Sequence, residues 1–359
     1  MGNYLIDEKL DTIKVENNDF SFIYTVIQLL YNLKNNIKKT KVNFDDSKTP
    51  LFSLFKKIFE ENDKKKIDLE KQSKYIYKII TEQYNLKIGD SPGKIIIQIL
   101  EILNLEENNG QVNDSGEKYI MANSNNLMTL FNLNMSFNAF EKNYKKNNNG
   151  IISQLFHGYY LTTNFFPNFP NLMSNMYIFN YYSVYELNVT YIHNQLRKEK
   201  ISLFECINEL KKPKKDMFSG IFQCLVSHNI YTLPRFLIFF MKREENNNFY
   251  GDITLETECD FSSLLFQNNN NNNNKYKLIH IIKQKRIMVK QQEKKKENYN
   301  DWYEADEQNN SMNNHKYLFI TRDNRDNYNS YDITNYNQKY SLKENDQDYY
   351  NHIFVYERQ

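Results

Sequence analysis

The chain has 359 residues, 40% of them hydrophobic, which is enough to bury one large core in a single domain spanning residues 1–359. Its formal net charge of +2 is small and its charges are interspersed, which argues against direct binding of nucleic acid. The sequence contains neither a secretion signal nor a stretch apolar enough to cross a bilayer, so we expect no membrane association.

Cysteine usage indicates a reducing compartment, and we therefore expect a nuclear or cytoplasmic protein. The three cysteines, Cys206, Cys224 and Cys259, have spacings that give neither a disulfide framework nor a C-x-x-C metal knuckle. Cys224 and His228 have C-x-x-x-H spacing, but structural zinc takes four ligands. We predict no metal and no cofactor.

The first part of the chain has the periodicity of helices. Spacing of the apolar residues predicts four helices, over residues 22–33, 51–61, 74–84 and 95–105. Ser91 and Pro92 supply an N-cap and a first-turn proline for the last of them. The sequence therefore predicts a helical region over about residues 1–145.

From about residue 150 the pattern changes to that of strands. Segments rich in Tyr, Phe and Val predict strands, over residues 159–166, 176–189, 233–243, 317–320, 327–333 and 353–356. The apolar run in 233–243 is typical of a central strand covered on both faces. The asparagine run 268–274 and the charged stretch 283–314 lack apolar periodicity, and we expect both to be disordered inserts. The fold class is therefore α+β.

Four boxes occur in the order YTVIQLL at 24–30, SLFECI at 202–207, LPRFLIFFMKR at 233–243 and HIFVYER at 352–358. In this order they resemble the ubiquitin-specific protease family. The family has a Cys box N-x-x-x-T-C-Y-x-N-S-x-L-Q, a strand L-P-x-x-L-I-x-x-L-K-R-F and a closing strand Y-x-L-x-Y-x-R. The resemblance spans nearly the whole chain. It implies a papain-like cysteine-protease fold, with a helical thumb over about 1–145 and β-rich fingers and palm over about 150–359.

The nucleophile of that family is missing from its position. A papain-like protease needs a thiolate, an imidazole base, a group that orients the imidazole and a donor for the oxyanion. Counting back from the glutamine of the first box, the nucleophile position falls on Ser21, or on Asp19 if the alignment slides by two. No cysteine precedes Cys206, and the oxyanion position falls on Glu16, with Asn17 next to it.

The other two catalytic roles are also substituted or displaced. The family's histidine box reads G-H-Y-x-x-Y; with Tyr317 on its first tyrosine, Lys316 falls on the histidine and His315 on the glycine. In the segment that supplies the orienting residue, Tyr331 takes that position and Asp332 the one after it. The three changes together predict a domain without hydrolytic activity.

Two active alternatives remain. Ser21 and Lys316 would form a Ser-Lys dyad if Lys316 were desolvated. A one-residue slip of the strand would instead place His315 at the imidazole position. Either would make the chain a divergent deubiquitinase that hydrolyses ubiquitin C-terminal isopeptide bonds. The competing role for Ser21 is a helix N-cap.

One branch of the family has lost its catalytic residues comparably and associates with the spliceosomal tri-snRNP. Residues 18–20, 233–250 and 275–282 are similar to stretches of that branch. Glu244 departs from it, as does the lack of cysteines for its N-terminal zinc-binding domain. The resemblance implies a protein-interaction module whose partner is ubiquitin or a tri-snRNP protein.

Overall fold

Helices predominate in the first part of the chain and strands in the second. The computed structural model describes residues 23, 26, 27, 29, 30, 49–61, 69–88, 91–108, 120–122, 126–168, 175–198, 200–218, 220–243, 253–266, 274–285, 317–322, 328–332, 339–340 and 349–359. Among these, no helix is both long and apolar enough to pass through a membrane.

The helices of the described residues are named in chain order. They are α1 Pro50–Glu61, α2 Leu69–Lys78, α3 Pro92–Glu107, α4 Asn126–Asn147, α5 Ile151–Phe156, α6 Val189–Leu196 and α7 Leu203–Lys211. A π-helical turn, Ile79–Gln83, continues α2. The helices predicted over 51–61 and 95–105 are confirmed, and the one predicted from residue 74 begins five residues earlier.

Two sequence signals at the N-terminal side of these helices act as predicted. The Ser91 side chain accepts a hydrogen bond from the Lys94 backbone N–H at 3.4 Å, and Pro92 occupies the first turn of α3.

In the first predicted helix the described residues are helical and fully buried: Ile23, Val26, Ile27, Leu29 and Leu30. The apolar stripe of that segment therefore lies in the core.

The strands are named in the same way. They are β1 Ile120–Ala122, β2 Gly158–Phe165, β3 Asn175–Tyr182, β4 Tyr185–Asn188, β5 Ile201–Ser202, β6 Lys214–Phe218, β7 Phe222–Thr232, β8 Phe236–Lys242, β9 Ile253–Thr254, β10 Glu258–Asp260, β11 Lys275–Lys285, β12 Tyr317–Arg322, β13 Tyr328–Asp332, β14 Lys339–Tyr340 and β15 Tyr349–Arg358. The predicted strand over 176–189 is two strands, β3 and β4, and the sequence did not predict β5, β6, β7, β9, β10 or β14. Two further differences concern β1 and β11. Strand β1 interrupts the predicted helical region, because it pairs with β3. Strand β11 continues to Lys285, because Lys283 and Gln284 pair with β12 and β15, so the insert predicted from residue 283 begins inside a strand.

The strands form two larger sheets. The first has five strands in the order β1-β3-β2-β7-β6, and its pairings are antiparallel. The second follows the order β14-β13-β12-β11-β15-β8-β4, with β10 also paired to β11, and only β4 runs parallel to its neighbour. A short parallel pair joins β5 and β9.

The centre of the eight-stranded sheet is buried on both faces. Side chains of β8 and β15 that enter the core beneath the helices are Phe236, Ile238, Phe240, Ile353 and Val355. Side chains of the same strands that enter the opposite core are Leu237, Phe239, Met241, Phe354 and Tyr356. This confirms the predicted central strand. Each such side chain contributes about 2 kcal/mol by burial.

Helix α3 lies unusually close to that sheet. Gly93 is buried in its first turn, and a Cβ atom added there would lie 2.2 Å from Cδ2 of Phe240. Any larger residue would collide with this ring, whose position is fixed inside β8. The absence of a side chain at residue 93 therefore sets the distance between the helices and the sheet.

Two consecutive glutamates at the end of α3 cap two other helices. Glu106, which is 3% exposed, accepts hydrogen bonds from the backbone N–H groups of Leu51 (3.0 Å) and Phe52 (2.7 Å) at the start of α1. Glu107 accepts from those of Ile151 (2.5 Å) and Ile152 (3.0 Å) at the start of α5. Because the first N–H groups of a helix have no partner within it, these carboxylates satisfy donors that would otherwise be buried and unpaired.

The five-stranded sheet is covered by aromatic packing against α4. The ring of Phe137 lies 5.5 Å from that of Tyr159 and 5.4 Å from that of Phe179, measured between centroids. Phe140 lies 5.5 and 5.8 Å from the same two rings. Edge-to-face and tilted ring pairs of this kind add stability beyond the area they bury.

We predict that Gly93→Ala lowers the free energy of unfolding by about 2 kcal/mol, because the added methyl group overpacks the contact with Phe240. Helix propensity alone would give the opposite sign. Urea denaturation measures the change, and Lys94→Ala, on the exposed side of the same turn, should stay within about 0.5 kcal/mol. In the double variant with Phe240→Leu the loss should be smaller than the sum of the two single losses. Additive losses would contradict the contact.

We predict that Glu106→Ala lowers the free energy of unfolding by about 2 kcal/mol, because it removes the charged acceptor of two buried N–H groups and of the Tyr84 hydroxyl. The matched control is Glu101→Ala, an exposed glutamate on α3, which should change it by less than about 0.5 kcal/mol. Equal losses in both variants, measured by thermal and urea denaturation, would rule out the capping role.

Candidate functional site

The described residues contain part of the predicted centre. Glu16, Asn17, Asp19 and Ser21, and the pair His315 and Lys316, lie outside the described residues. Tyr331 and Asp332 are the last two residues of β13. The centre is therefore defined by the elements next to the predicted positions.

The helix that would follow the nucleophile position is part of the main core. Ile23 and Val26 share the core beneath the helices with Ile95 and Ile99 of α3. All four side chains are fully buried. The YTVIQLL box at 24–30 therefore contributes side chains to the core, whichever residue lies at the nucleophile position.

Strand pairing brings Tyr331 and Asp332 to the end of the eight-stranded sheet at which β12 begins. Tyr317, the residue after Lys316 in sequence, is the first of β12, and it lies opposite Gln284 of β11. On the other side of β12, Tyr331 lies opposite Phe319 and Asp332 opposite Leu318. The sheet thus places Tyr331 and Asp332 beside the start of β12, the strand that Lys316 precedes in sequence.

The same end of the sheet holds a cluster of buried polar side chains that sequence reasoning missed. Lys283, Gln284, Asn351 and His352 are each less than a tenth exposed, and they lie next to the apolar segments of β11 and β15. The only sequence signal is that these polar residues end the apolar runs of β11 and β15. Burial of polar groups is tolerated where they are hydrogen-bonded, so this end of the sheet is a polar site within the protein.

Two contacts show how that cluster is held. The Asn351 side chain donates to the backbone carbonyl of Ile253 at 3.1 Å, and Arg243 Nη1 donates to the carbonyl of Asn351 at 2.8 Å. The pairing of β11 with β15 shifts register at His352, whose ring stands edge-on to Phe240 with centroids 5.1 Å apart. The cluster therefore adjoins the ring against which Gly93 packs.

The three thiols of the chain are buried and lie elsewhere. Cys206 is on α7, Cys224 on β7 and Cys259 on β10. Burial raises the pKa of the Cys206 thiol to about 12 and that of Cys259 to about 11, and it also raises the pKa of Cys224. A nucleophilic cysteine needs the opposite, an exposed site that lowers its pKa.

Two buried histidines are neutral at physiological pH. Burial lowers the pKa of His157 to about 4 and that of His280 to about 3. The ring Nδ1 of His157, the residue between α5 and β2, is hydrogen-bonded to the hydroxyl of Tyr144 on α4 at 2.6 Å. His157 therefore joins two elements of the fold.

The pair Cys224 and His228 does not form a metal site. Both residues are on β7, where four residues span roughly 13 Å, so the C-x-x-x-H spacing separates the two side chains. His228 Nδ1 is hydrogen-bonded to the Thr162 hydroxyl at 3.1 Å. Within the described ranges, no group of three His, Cys, Asp or Glu side chains is placed to hold a metal ion.

The fold is similar to solved structures of the SAGA DUB module. The structure of the Ubp8-Sgf11-Sgf73-Sus1 module matches with a TM-score of 0.59 at 13% sequence identity, over 95% of this chain and 66% of that chain. The SAGA DUB module bound to monoubiquitin matches with a TM-score of 0.59 at 12% identity, over 96% and 68% of the two chains. A yeast SAGA module structure gives 0.56 at 12%, over 95% and 67%.

These likenesses establish the fold. Ubp8 is a ubiquitin-specific protease, so the predicted α+β, papain-like fold of the ubiquitin-specific protease type is confirmed. At this level of identity the likeness shows the fold alone. No protein-family model and no curated protein sequence matches the chain.

We predict that the three cysteines of the native protein react with iodoacetamide at about pH 8 at least about 100-fold more slowly than in concentrated urea, because burial disfavours the thiolate. Mass spectrometry of the alkylated peptides measures each rate. Lys142→Cys, which adds an exposed thiol on α4, is the matched control and should react at similar rates in both conditions. A native thiol that reacts as fast as this control would contradict the assignment.

Proposed function

We propose that this chain is a catalytically inactive domain of the ubiquitin-specific protease fold that works by binding another protein. The observation that carries the proposal is the placement of the thiols. All three belong to the chain's second half, and the pKa of each is raised by burial. Hydrolysis by the family mechanism requires a thiolate before the first buried helix, and the sequence offers Ser21 or Asp19 there.

The two other substituted positions support the same proposal. In a papain-like centre the imidazole accepts the proton of the nucleophile, and an acid or amide orients it. Lys316 and Tyr331 would take these roles, and neither residue type performs them at neutral pH unless its pKa is strongly lowered.

Ubiquitin is the first partner to test. A solved structure with this fold, the SAGA DUB module, contains bound monoubiquitin. A domain that keeps the fold and loses the chemistry would retain a surface for ubiquitin and hold it without cleavage. The second partner we propose is a protein of the spliceosomal tri-snRNP, on the strength of the three short stretches at 18–20, 233–250 and 275–282. The tri-snRNP role would place the protein in the nucleus.

We predict that ubiquitin carrying a C-terminal electrophile forms no covalent adduct with the full chain, because no activated nucleophile is present. Intact-mass spectrometry detects the adduct, and an active ubiquitin-specific protease is the positive control. An adduct that disappears in Ser21→Ala would overturn inactivity and make the protein a serine-variant deubiquitinase. His315→Ala and Lys316→Ala would then identify the base.

A calorimetric titration with unmodified ubiquitin tests recognition in the same preparation. Saturable binding without an adduct supports a ubiquitin-binding pseudoenzyme. If ubiquitin does not bind, cosedimentation with purified tri-snRNP particles tests the second partner. Failure of both binding assays would contradict the proposed function.

A further inference from the structure

Strand β6 is an exposed edge of the five-stranded sheet. It lies last in the order β1-β3-β2-β7-β6 and pairs with β7, and its central residues Lys215, Asp216 and Met217 are exposed. An edge strand presents a row of backbone N–H and C=O groups to which another strand can pair. Strand β6 is therefore open to addition of a further strand.

The backbone of β6 shows where such a strand would bind. The N–H of Met217 donates a hydrogen bond to Oδ1 of the adjacent Asp216 at 2.7 Å. The Asp216 carboxylate thus accepts a hydrogen bond from a main-chain N–H in the exposed part of the edge. An incoming strand would offer a carbonyl to this N–H and release the carboxylate to solvent.

Apolar side chains line the same end of the sheet. Phe165 is 43% exposed, Met217 47% and Ile221 71%, and these are three of the five large hydrophobic residues exposed within the described parts of the chain. Lys215 and Phe165 both lie opposite Leu225 of β7, which puts them on one face, and Met217 is two residues from Lys215 on that face. Ile221 lies in the turn between β6 and β7. The face therefore offers an apolar contact beside the open edge.

The edge is also basic. Between residues 211 and 218 the chain has four lysines against one aspartate. Lys212 pairs with Glu209 at 2.5 Å, and the Nζ of Lys214 lies 4.0 Å from the centre of the Tyr191 ring. Lys215 is exposed in the middle of the edge. Opposite charges across paired strands stabilise them, and like charges destabilise them.

We propose that β6 binds an acidic, extended segment of a partner protein, which adds to the five-stranded sheet as a sixth strand. The open edge supplies main-chain hydrogen bonds, and Lys215 attracts an acidic side chain opposite it. Met217 and Phe165 lie on the same face as Lys215, so they contact apolar side chains two positions along the segment on that face. A second copy of this chain fits poorly, since antiparallel pairing of all five residues of β6 with themselves would place Asp216 opposite Asp216. A nucleic acid would use the lysines and leave the edge and the apolar face without a role.

This inference deepens the proposed function, and it rests on that proposal only in holding that the chain works by binding protein. The ubiquitin titration and the peptide titration use different ligands, so failure of the peptide to bind is distinguishable from failure of ubiquitin to bind.

The test is a fluorescence-anisotropy titration of the full chain with a labelled peptide of about nine residues. Glutamate and valine take turns at every second position of this peptide, so that both lie on one face, and threonine fills the positions between. We expect saturable binding that weakens as salt is added, because the charges are solvent-exposed. Lys215→Glu should weaken it about fivefold. The same reversal on α4, Lys142→Glu, should have no effect, and circular dichroism checks that both variants are folded.

A peptide of the same sequence with N-methyl groups on alternate amides separates strand addition from charge attraction. We expect it to lose binding, because methylation removes the main-chain donors. The proposal is overturned if neither peptide binds, if the methylated peptide binds equally well, or if both lysine reversals weaken binding to the same extent. It is also overturned if an oligouridine of similar charge competes as well as the peptide does.

Discussion

Two neighbouring carboxylates, those of Glu106 and Glu107, hold the helices of this domain in place. Each caps the start of a different helix, α1 or α5, although both belong to the last turn of α3. Burial raises the pKa of each carboxyl group, and the hydrogen bonds that it accepts from backbone N–H groups offset part of this rise. Gly150 makes the second contact possible, because a Cβ there would lie 2.1 Å from the Glu107 carboxyl carbon. These contacts fix α5, which leads directly into β2, and they thereby connect the helices to the five-stranded sheet.

The eight-stranded sheet depends on the same arrangement from the other end of α3. Gly93 lets the first turn of this helix reach Phe240, so the sheet and the helices enclose one continuous core. Among the described residues, the two main core clusters contain none of the predicted catalytic positions. The fold can therefore persist after the chemistry is lost, since burial of apolar side chains, helix capping and strand pairing are independent of a thiolate. A pseudoenzyme of this fold needs no compensating change in its core.

Under the proposed function, a domain with this fold and no hydrolytic activity acts through its surfaces. The polar cluster at Lys283, Gln284, Asn351 and His352 lies inside the protein beside the predicted centre. The exposed edge of β6, with Met217 and its lysines, belongs to the other sheet. A domain that recognises ubiquitin on one surface and an acidic segment on another would link two proteins. Such a link requires binding energy on both surfaces and no reaction at either.

The sequence by itself determined the change from helices to strands near residue 150, the double burial of β8 and the lack of a cysteine before Cys206, because periodicity, a continuous apolar run and residue identity are local properties. It did not determine that β1 would pair with β3, that β11 would extend to Lys285, or that Cys224 and His228 would lie apart on one strand. Nor did it show that Glu106 would reach a helix more than fifty residues earlier in the chain. These features depend on contacts between distant segments. Only the tertiary structure decides them, because a strand partner or a buried acceptor is chosen by what packs beside it.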